Sequence, residues 1–372
     1  MKNTFEGYIR SDGTAGTRNH IGIVSSVICS SIVTSEISEK VQGAIPIIHS
    51  NGCAQLGDDF QVTKNMLVGV ASNPNLYASL LVGLGCETNQ ISGLLESVPK
   101  SKPLKGIGIQ QMAGGKNTIE SGVSIAGSWS EEALKEKRET LPLSLLKVGV
   151  VAVDIDEQSL KKITPVVNGV INTLLKNDAS VVMGLTDTLE PAGDIIAENV
   201  EDIDLKQKLV NISEGMHRRR WKENKEYEVQ SFSGEEKNIA SLEARLIGTN
   251  KINSLLNYNE KPEEKGLHLM KSSSNIVETL SNIASIGCNF AIILSSRGIL
   301  TSSVAIPCMT IAPQDSGGSF EELVDYKVAE GKTNKQVEKV FQDLISFASG
   351  KQTVLEEYEL GEFSIPHVGT TF

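Results

Sequence analysis

The chain has 372 residues, of which 40% are hydrophobic and 5% aromatic, and its formal net charge at pH 7 is −11. At roughly 150 residues per domain, this length predicts two or three domains with ample core. The acidity argues against nucleic acid as a partner, because phosphate binding needs a basic face. No apolar run reaches the ~18 residues of a membrane span, and the polar N-terminal residues do not resemble a signal peptide. The five cysteines then predict free thiols in a reducing, cytoplasmic compartment.

Charge and glycine are unevenly distributed along the chain. Residues 1–150 carry 13 basic and 13 acidic side chains, whereas residues 151–372 carry 22 basic and 33 acidic ones. The first segment also holds 18 of the 33 glycines and three of the five cysteines. This contrast predicts two domains with different roles, with the boundary near Pro142: residues 1–140 and residues 141–372.

In chain order, the first segment alternates short apolar strands with helices. The predicted strands are IGIVSSV, AIPIIHS, SLLVGLG and GIGIQQMAGG. The predicted helices are SSIVTSEISEKV, the LYA turn that leads into SLLVGLG, NQISGLLESV and the charged EEALKEKRETLPLS. Strands that alternate with helices favour a parallel sheet.

The second segment repeats this alternation. KVGVVAV, ASVVMGL, NFAIILSS and VAIPCMTIAP are predicted strands, and PVVNGVINTLLKN, NIVETLSNIASIG and NKQVEKVFQDLISFASG are predicted helices. The acidic residues 194–265 are predicted to be mostly helical, and the basic cluster at 216–224 to be a solvated helix face. The predicted fold class is therefore α/β, with two domains that each contain a mainly parallel sheet flanked by helices.

Several polar side chains directly follow predicted strands of the first segment. They are His49, Cys53, Cys86, Glu87 and Gln110. Because ligands of parallel sheets collect at the carboxyl ends of the strands, these side chains are expected to share one rim.

His49 and Cys53 have a spacing that suits a metal such as Fe²⁺ or Zn²⁺, or a Cys–His nucleophile pair. The alternative to a functional site is a purely structural arrangement, in which a buried thiol lies beside a histidine at a strand end. Cys86 beside Glu87 suits a ligand or a general base, or else a buried thiol beside a helix-capping carboxylate. No P-loop, zinc-type CxxC pair, GxSxG or HExxH motif is present.

Two further stretches place arginine beside glycine. FEGYIRSDGTAGTRN contains Arg10, Asp12, Arg18 and Asn19. Arginine offers a planar fork that matches a carboxylate, although a surface turn with local ion pairs would look the same. Arg297 follows a predicted strand in SSRG, where it suits either an acidic substrate or a simple turn.

The order of these motifs resembles that of the altronate/galactarate dehydratase family of sugar-acid hydro-lyases. The motifs are FEGYIRSDGTAGTRN, IPIIHSNGC, NPN, LLVGLGCE and IQQMAGG. The match is dense over residues 5–125 and returns over residues 285–313 and in the closing segment from residue 347.

The resemblance implies a cytoplasmic lyase that dehydrates an aldonic or aldaric acid to a 2-keto-3-deoxy acid with a divalent metal, usually Fe²⁺. It implies His49, Cys53 and Cys86 as metal ligands and His49 and Glu87 as acid/base groups. The implied substrate-binding residues are Arg10, Asp12, Arg18, Asn19, Gln110 and Arg297. A small SAF-type domain, fused in long family members, is expected here as a separate subunit, and the chain is expected to form a homo-oligomer.

The chain also departs from the family pattern. Asn73–Pro74–Asn75 stands where the family has HPN, Thr14 replaces an arginine, and Val151–Asp154 replaces a Gly-Gly-Ser-Asp segment. A stretch upstream of GLHLMKSSS has no counterpart. The alternatives are therefore an elimination of sulfite from sulfolactate, as in some relatives, or a catalytically degenerate ligand-binding paralogue.

Overall fold

A computed structural model describes residues 3–53, 55–214, 232–273, 275–315 and 320–367. The basic cluster predicted as a helix face at 216–224 lies outside these ranges. Among the helices within them, none combines the length and the apolar content needed to cross a membrane.

The described residues form short strands and eleven α-helices. The strands are β1 Thr4–Ile9, β2 Ala15–Gly16, β3 His20–Ser25, β4 Ala44–Ile47, β5 Leu76–Gly83, β6 Leu104–Gly108, β7 Glu139–Pro142, β8 Lys147–Ala152, β9 Ser180–Leu185, β10 Ile252–Leu256, β11 Leu267–Lys271, β12 Phe290–Leu294, β13 Ser302–Ser303, β14 Cys308–Pro313, β15 Tyr326–Val328 and β16 Gly361–Glu362. The helices are α1 Ser31–Glu39, α2 Gly57–Ala71, α3 Ile91–Ser97, α4 Gly115–Ala133, α5 Glu157–Lys176, α6 Gly193–Ala197, α7 Ile203–Ser213, α8 Gly234–Ala244, α9 Ile276–Ser285, α10 Thr333–Ala348 and α11 Val354–Glu357.

The first segment contains a four-stranded parallel sheet in the order β4-β3-β5-β6. The central strand β5 is buried along nearly its whole length. The prediction of a helical turn at 76–78 was wrong, because β5 already begins at Leu76. A strand that is buried on both faces reads as a continuous apolar run, and periodicity alone does not separate it from a buried helix.

The second segment contains a seven-stranded parallel sheet in the order β10-β11-β9-β8-β12-β14-β15. Residues 194–265 contribute strand β10 as well as helices, so the helical prediction there was incomplete. The charged stretch before Pro142 was predicted to be a helix, but α4 ends at Ala133. The stretch continues into β7, which pairs antiparallel with β1. The α/β class with two parallel sheets flanked by helices is confirmed.

The two sheets are joined through α2 and α9, which pack against each other. The Ser285 hydroxyl on α9 donates a hydrogen bond to the carbonyl of Met66 on α2 at 3.1 Å. A Cβ at Gly69 would collide with the Ser285 carbonyl, so the helices approach this closely only because position 69 has no side chain. One core cluster therefore contains side chains from both sheets, such as Leu81 and Ile293.

The NPN triplet lies in this junction, at the start of β5. Asn73 donates from Nδ2 to the carbonyls of Ala284 and Cys288 at 2.7 and 2.8 Å. Asn75 donates from Nδ2 to the carbonyl of Asn289 at 3.1 Å. Both asparagines are buried, and they satisfy backbone carbonyls that would otherwise lose water without compensation. The departure from HPN thus falls between the two sheets, at the end of β5 away from the predicted rim.

Glu243 on α8 is an isolated carboxyl group in the second segment. Its Oε2 accepts a hydrogen bond from the Thr188 hydroxyl at 3.0 Å, and its Oε1 has no partner among the described residues. Burial raises the pKa of Glu243 to about 7. Between pH 4.5 and about 7, Glu243 therefore keeps its proton in the folded chain, whereas in the unfolded chain it has lost it, because its ordinary pKa is 4.5.

We expect Glu243→Gln to stabilise the protein at alkaline pH. The free energy of unfolding of the wild type falls as the pH rises from the unfolded pKa towards the folded one, because only the unfolded chain has lost the proton. An amide does not titrate, so the variant gains up to roughly 3 kcal/mol at about pH 8 and much less at about pH 5. Urea unfolding at both pH values measures this. The exposed Glu235→Gln is the control, and an equal effect at both pH values would contradict the expectation.

Candidate active site

The loops after β3, β4 and β5 come together at the carboxyl edge of the first sheet. The Ile28 N–H donates to the carbonyl of Asn51 at 3.0 Å, which ties the β3 loop to the β4 loop. The Thr88 hydroxyl donates to the carbonyl of Cys53, which ties the β5 loop to the β4 loop. Ser26 N–H donates to the carbonyl of Val82 at 2.9 Å. The predicted rim is therefore formed, and the loops that carry His49, Cys53, Cys86 and Glu87 share it.

Glu87 is a buried carboxylate at the centre of this rim. Its Oε1 accepts a hydrogen bond from the Ser26 hydroxyl at 3.0 Å, and its Oε2 accepts one from the Gly85 N–H at 2.5 Å. The strand before it has no side chain at Gly83, where a Cβ would collide with Oε1. The carboxylate is thus held in one orientation from both sides, and each oxygen keeps a second lone pair for another proton.

His49 is buried beside the same loops. Its Nδ1 accepts a hydrogen bond from the Asn51 N–H at 3.1 Å. Its Nε2 has no hydrogen-bond partner among the described residues. Burial lowers the pKa of His49 to about 4, and the adjacent backbone of Ser25 and Ser26 acts in the opposite direction. The ring is therefore neutral at pH 7, and the occupied Nδ1 places its proton on Nε2.

Three cysteine thiols meet at this edge. Cys29, Cys53 and Cys86 lie on loops that are tied together here, and desolvation together with the neighbouring thiols of Cys29 and Cys86 raises the pKa of Cys53. Cys29 lies in the turn after β3 and is exposed, as is Cys86. The sequence prediction omitted Cys29, although it follows a predicted strand as closely as Cys53 does. The rule that site residues directly follow the strands of a parallel sheet would also have included Cys29.

The predicted metal ligands are not arranged around a common ion position. Across the residues described by the structure, no group of three or more His, Cys, Asp or Glu side chains could hold a metal ion as it stands. His49 reaches the rim from β4, but its occupied Nδ1 and protonated Nε2 leave no free lone pair for a metal in this tautomer. Metal binding by His49, Cys53 and Cys86 stays a prediction.

A cavity of about 360 Å³ lies between the β4 edge of the first sheet and the second segment. Its polar lining comes from His49, Ser50, Asn275, Glu362 and Ser364. Asn275 caps α9, where its side chain accepts hydrogen bonds from the first turn. The sequence analysis did not identify Ser50, Asn275 or Ser364, because no local motif marks residues that meet only when two segments pack together.

Gln110 and Arg297 are the predicted substrate-binding residues that follow strands. Gln110 is exposed after β6, and its side chain packs beside Gly85 at the rim. Arg297 is exposed after β12, where its N–H donates to the Ser295 hydroxyl at 3.2 Å. Of the two, the structure brings only Gln110 against the loop that carries Cys86.

Arg10 and Asp12 have other partners. Arg10 donates from Nε to the carbonyl of Pro74 at 2.7 Å and lies over the ring of Tyr8. Asp12 accepts hydrogen bonds from the Thr14 N–H and hydroxyl at 3.0 and 2.6 Å, which forms a local turn. Arg10 thus holds the NPN triplet, and Asp12 shapes the loop before it.

Arg18 and Asn19 immediately precede β3, whereas the rim follows it. A six-residue strand spans roughly 20 Å, so these side chains lie at the opposite edge of the sheet. Arg18 forms a bidentate pair with Glu356, with both N–O distances at 2.7 Å. Asn19 donates to the carbonyl of Ala133 at 3.0 Å. The structure therefore does not bring the N-terminal arginines together with Glu87 and the thiols.

Comparisons with known proteins agree with the motif order. A model of the second domain of D-galactarate dehydratase/altronate hydrolase matches residues 7–134, and a D-galactarate/altronate dehydratase C-terminal model matches residues 143–371. Altronate dehydratase of Bacillus subtilis is 26% identical over 99% of this chain and 78% of its own length. The (2R)-sulfolactate sulfo-lyase subunit beta of Chromohalobacter salexigens is 23% identical over 97% of this chain and 96% of its own length. The chain therefore belongs to the D-galactarate/altronate dehydratase family of carbon–oxygen lyases.

Proposed function

We propose that the chain dehydrates a sugar acid similar to altronate or galactarate to a 2-keto-3-deoxy acid. The observation that carries this proposal is that Glu87, His49 and the thiols lie on three joined loops, and that His49 also lines a cavity at this edge. The relatives named altronate dehydratase and galactarate dehydratase support the substrate class.

Loss of water across C2 and C3 needs a base for the proton next to the carboxylate and stabilisation of the charge that develops. Glu87 is proposed as the base, because its carboxylate is oriented by the Ser26 hydroxyl and the Gly85 N–H. Burial in the rim excludes water that would otherwise compete for the carboxylate oxygens.

His49 is proposed as the group that assists the departing hydroxyl group, by donating a hydrogen bond to it. Its neutral ring lines the cavity and carries the proton on Nε2, while the Asn51 N–H fixes the ring through Nδ1. A neutral imidazole can donate a hydrogen bond from Nε2 to the departing oxygen and so stabilise the charge that develops there as the C–O bond breaks.

The substrate carboxylate is proposed to lie near the start of α9. Asn275 and Val277 of that first turn line the cavity, and the positive end of a helix dipole favours an anion. Ser50 and Ser364 supply hydroxyl groups for the hydroxyls of the sugar acid. This assignment replaces Arg10 and Arg18, which face the other edge of the sheet.

A divalent metal, Fe²⁺, is proposed as the cofactor, because thiols gather at the rim, although the described residues hold no ready-made group of three ligands. Cys53 and Cys86 would hold it once their side chains turn towards one ion, because thiolate donors suit iron. Desolvation and the neighbouring thiols raise the pKa of Cys53, and a bound cation would favour its thiolate. When bound, the metal supplies a Lewis acid for the negative charge of the substrate.

We expect purified protein, kept under reducing conditions with Fe²⁺, to convert altronate or galactarate to a 2-keto-3-deoxy acid. Detection of the keto acid measures the reaction. The second candidate is elimination of sulfite from sulfolactate, which the similarity over 96% of a sulfo-lyase subunit favours. Sulfite release from sulfolactate alone would select that reaction, and no turnover on any acid would select a ligand-binding paralogue.

Substitution of Gly83 by Ala is expected to lower kcat about tenfold to a hundredfold. The added Cβ would displace the Glu87 carboxylate and the Ile91 side chain. Misplacement of a catalytic group by about 1 Å can lower the rate up to about a hundredfold. Steady-state kinetics measure the loss. Gly127→Ala on α4 is the control, since nothing lies near its added Cβ. Unchanged kcat in Gly83→Ala would remove Glu87 from the proposed site.

The partners are proposed to include a separate small SAF-type subunit and further copies of the chain, in the cytoplasm. Ile32 and Leu56 follow Cys29 and Cys53 closely and are 74% and 76% exposed, which leaves apolar surface near the rim for a partner. The sulfo-lyase relative is named as a subunit beta. Sedimentation of the chain alone and with a candidate small subunit tests both assemblies.

A further inference from the structure

We propose that Glu362, on the short strand β16, selects acids that carry one carboxylate over acids that carry two. This inference rests on the proposed function, because it narrows the class of substrate that the same cavity takes. An aldonic acid ends in a hydroxymethyl group, whereas an aldaric acid ends in a second carboxylate. In this assignment the far end of the substrate meets the Glu362 carboxylate.

The charge of the cavity lining is the first argument. Among the described residues that line the cavity, Glu362 alone is charged at pH 7, because burial lowers the pKa of His49 to about 4. The other polar lining groups, Ser50, Asn275 and Ser364, are neutral. The start of α9 can accommodate one carboxylate of a substrate. A second carboxylate finds no cationic side chain among these lining residues and meets a group of its own sign.

The fixed backbone around Glu362 is the second argument. Strand β16 pairs with β13, and the Val304 N–H donates to the carbonyl of Glu362 at 3.2 Å. Phe363 is buried in the core cluster that joins the two sheets. The Ser364 N–H donates to the Ser281 hydroxyl on α9 at 2.9 Å. The chain on both sides of Glu362 is therefore tied to the second segment, and this keeps the residue at the cavity.

The size of the cavity is the third argument. A sphere with the cavity volume of about 360 Å³ is only about 9 Å across, close to the Debye length of roughly 8 Å at physiological ionic strength. A negative group anywhere in the cavity therefore stays within reach of the Glu362 charge. The same carboxylate accepts hydrogen bonds from hydroxyl groups, so it favours the hydroxymethyl end of an aldonic acid.

The binding of two acids that differ only at the far end tests the proposal. Galactonate ends in a hydroxymethyl group and galactarate in a carboxylate, with the same configuration along the chain. Calorimetric titration is carried out on the full chain with Glu87→Gln, so that turnover does not distort the binding curve. We expect galactonate to bind about tenfold more tightly, which is the order expected of one like-charge contact near a protein surface. Added salt should reduce this ratio, because it screens the repulsion.

Substitutions of Glu362 in the same protein should change the ratio according to charge. Glu362→Gln should bring the affinities for the two acids close together, and Glu362→Lys should favour galactarate about tenfold. Glu357→Lys is the matched control, since Glu357 is exposed on α11 of the same C-terminal segment and is not part of the cavity lining. It should keep the original ratio. Circular dichroism confirms that each variant is folded.

The same ratio in Glu362→Lys and in the control would overturn the proposal. Tighter binding of galactarate before Glu362 is changed, a ratio that ignores salt, or binding of neither acid would also overturn it. Turnover measured with Glu87 intact separates this result from the proposed function. A chain that shows the expected ratios but dehydrates no acid keeps the role of Glu362 and overturns the function. A chain that dehydrates both kinds of acid, with a preference that Glu362→Lys does not change, keeps the function and overturns the role.

Discussion

Glu87→Gln is expected to lower kcat for sugar-acid dehydration about a thousandfold with little change in KM. The amide keeps the shape of the side chain and can still accept a hydrogen bond from the Ser26 hydroxyl, but it cannot take a proton from carbon. Because proton abstraction occurs in the transition state, the loss falls on kcat. Steady-state kinetics with altronate or galactarate measure both constants.

Glu96→Gln is the matched control for this variant. Glu96 is exposed on α3, in the same domain as the rim, and its substitution should leave both constants unchanged. Because the amide nitrogen cannot accept the hydrogen bond from the Gly85 N–H, the free energy of unfolding of Glu87→Gln should fall by about 1–3 kcal/mol, which leaves the variant folded. A variant that retains most of the wild-type kcat would show that another group accepts the proton.

Arg18→Met is expected to lower the free energy of unfolding by about 3–5 kcal/mol. The side chains of Arg18 and Glu356 are only 8% and 21% exposed, so the substitution leaves a largely buried carboxylate without its partner. The carbonyls of Phe347 and Lys351 also lose the hydrogen bonds that the guanidinium donates at 3.0 Å. Urea denaturation followed by circular dichroism measures the loss.

The pair also predicts how stability depends on pH. Burial alone would raise the pKa of Glu356, but the hydrogen bond and charge of Arg18 lower it below the ordinary value. The stabilisation is therefore present above the unfolded pKa and is lost as the pH falls through the folded one. Arg18→Met should weaken this acid-side dependence. Lys40→Met, which removes an exposed pair with Glu36, should cost less than about 1 kcal/mol. Equal losses in the two variants would contradict a structural role for Arg18.

The rim could be predicted because the rule behind it is local. A residue that follows a strand of a parallel sheet lies at the carboxyl edge, and this placed His49, Cys53 and Glu87 together. The arginines were assigned from residue type, since a guanidinium suits a carboxylate of either a substrate or the protein. For Arg18 the carboxylate belongs to Glu356, which lies 338 positions away in the sequence. No rule based on residue spacing predicts a pair between residues so far apart in the sequence.

The chain departs from its family least where the rim lies. Asn73 and Asn75, which stand where the family has HPN, join the two sheets through backbone carbonyls. Since β5 separates them from Cys86 and Glu87, the change in this triplet alters a packing contact and leaves the rim in place.

The sequence by itself determined the α/β class, the alternation of strands and helices, and the family, because these depend on local patterns of apolar residues and on the order of motifs. Only the tertiary structure decided which polar groups meet. It tied together the loops of Cys29, Cys53 and Cys86, placed Asn275 and His49 in the lining of one cavity, and directed Arg18 to the C-terminal segment. The physical reason is that each of these contacts depends on how strands order within a sheet and how two sheets pack, and both are set by burial summed over many distant residues.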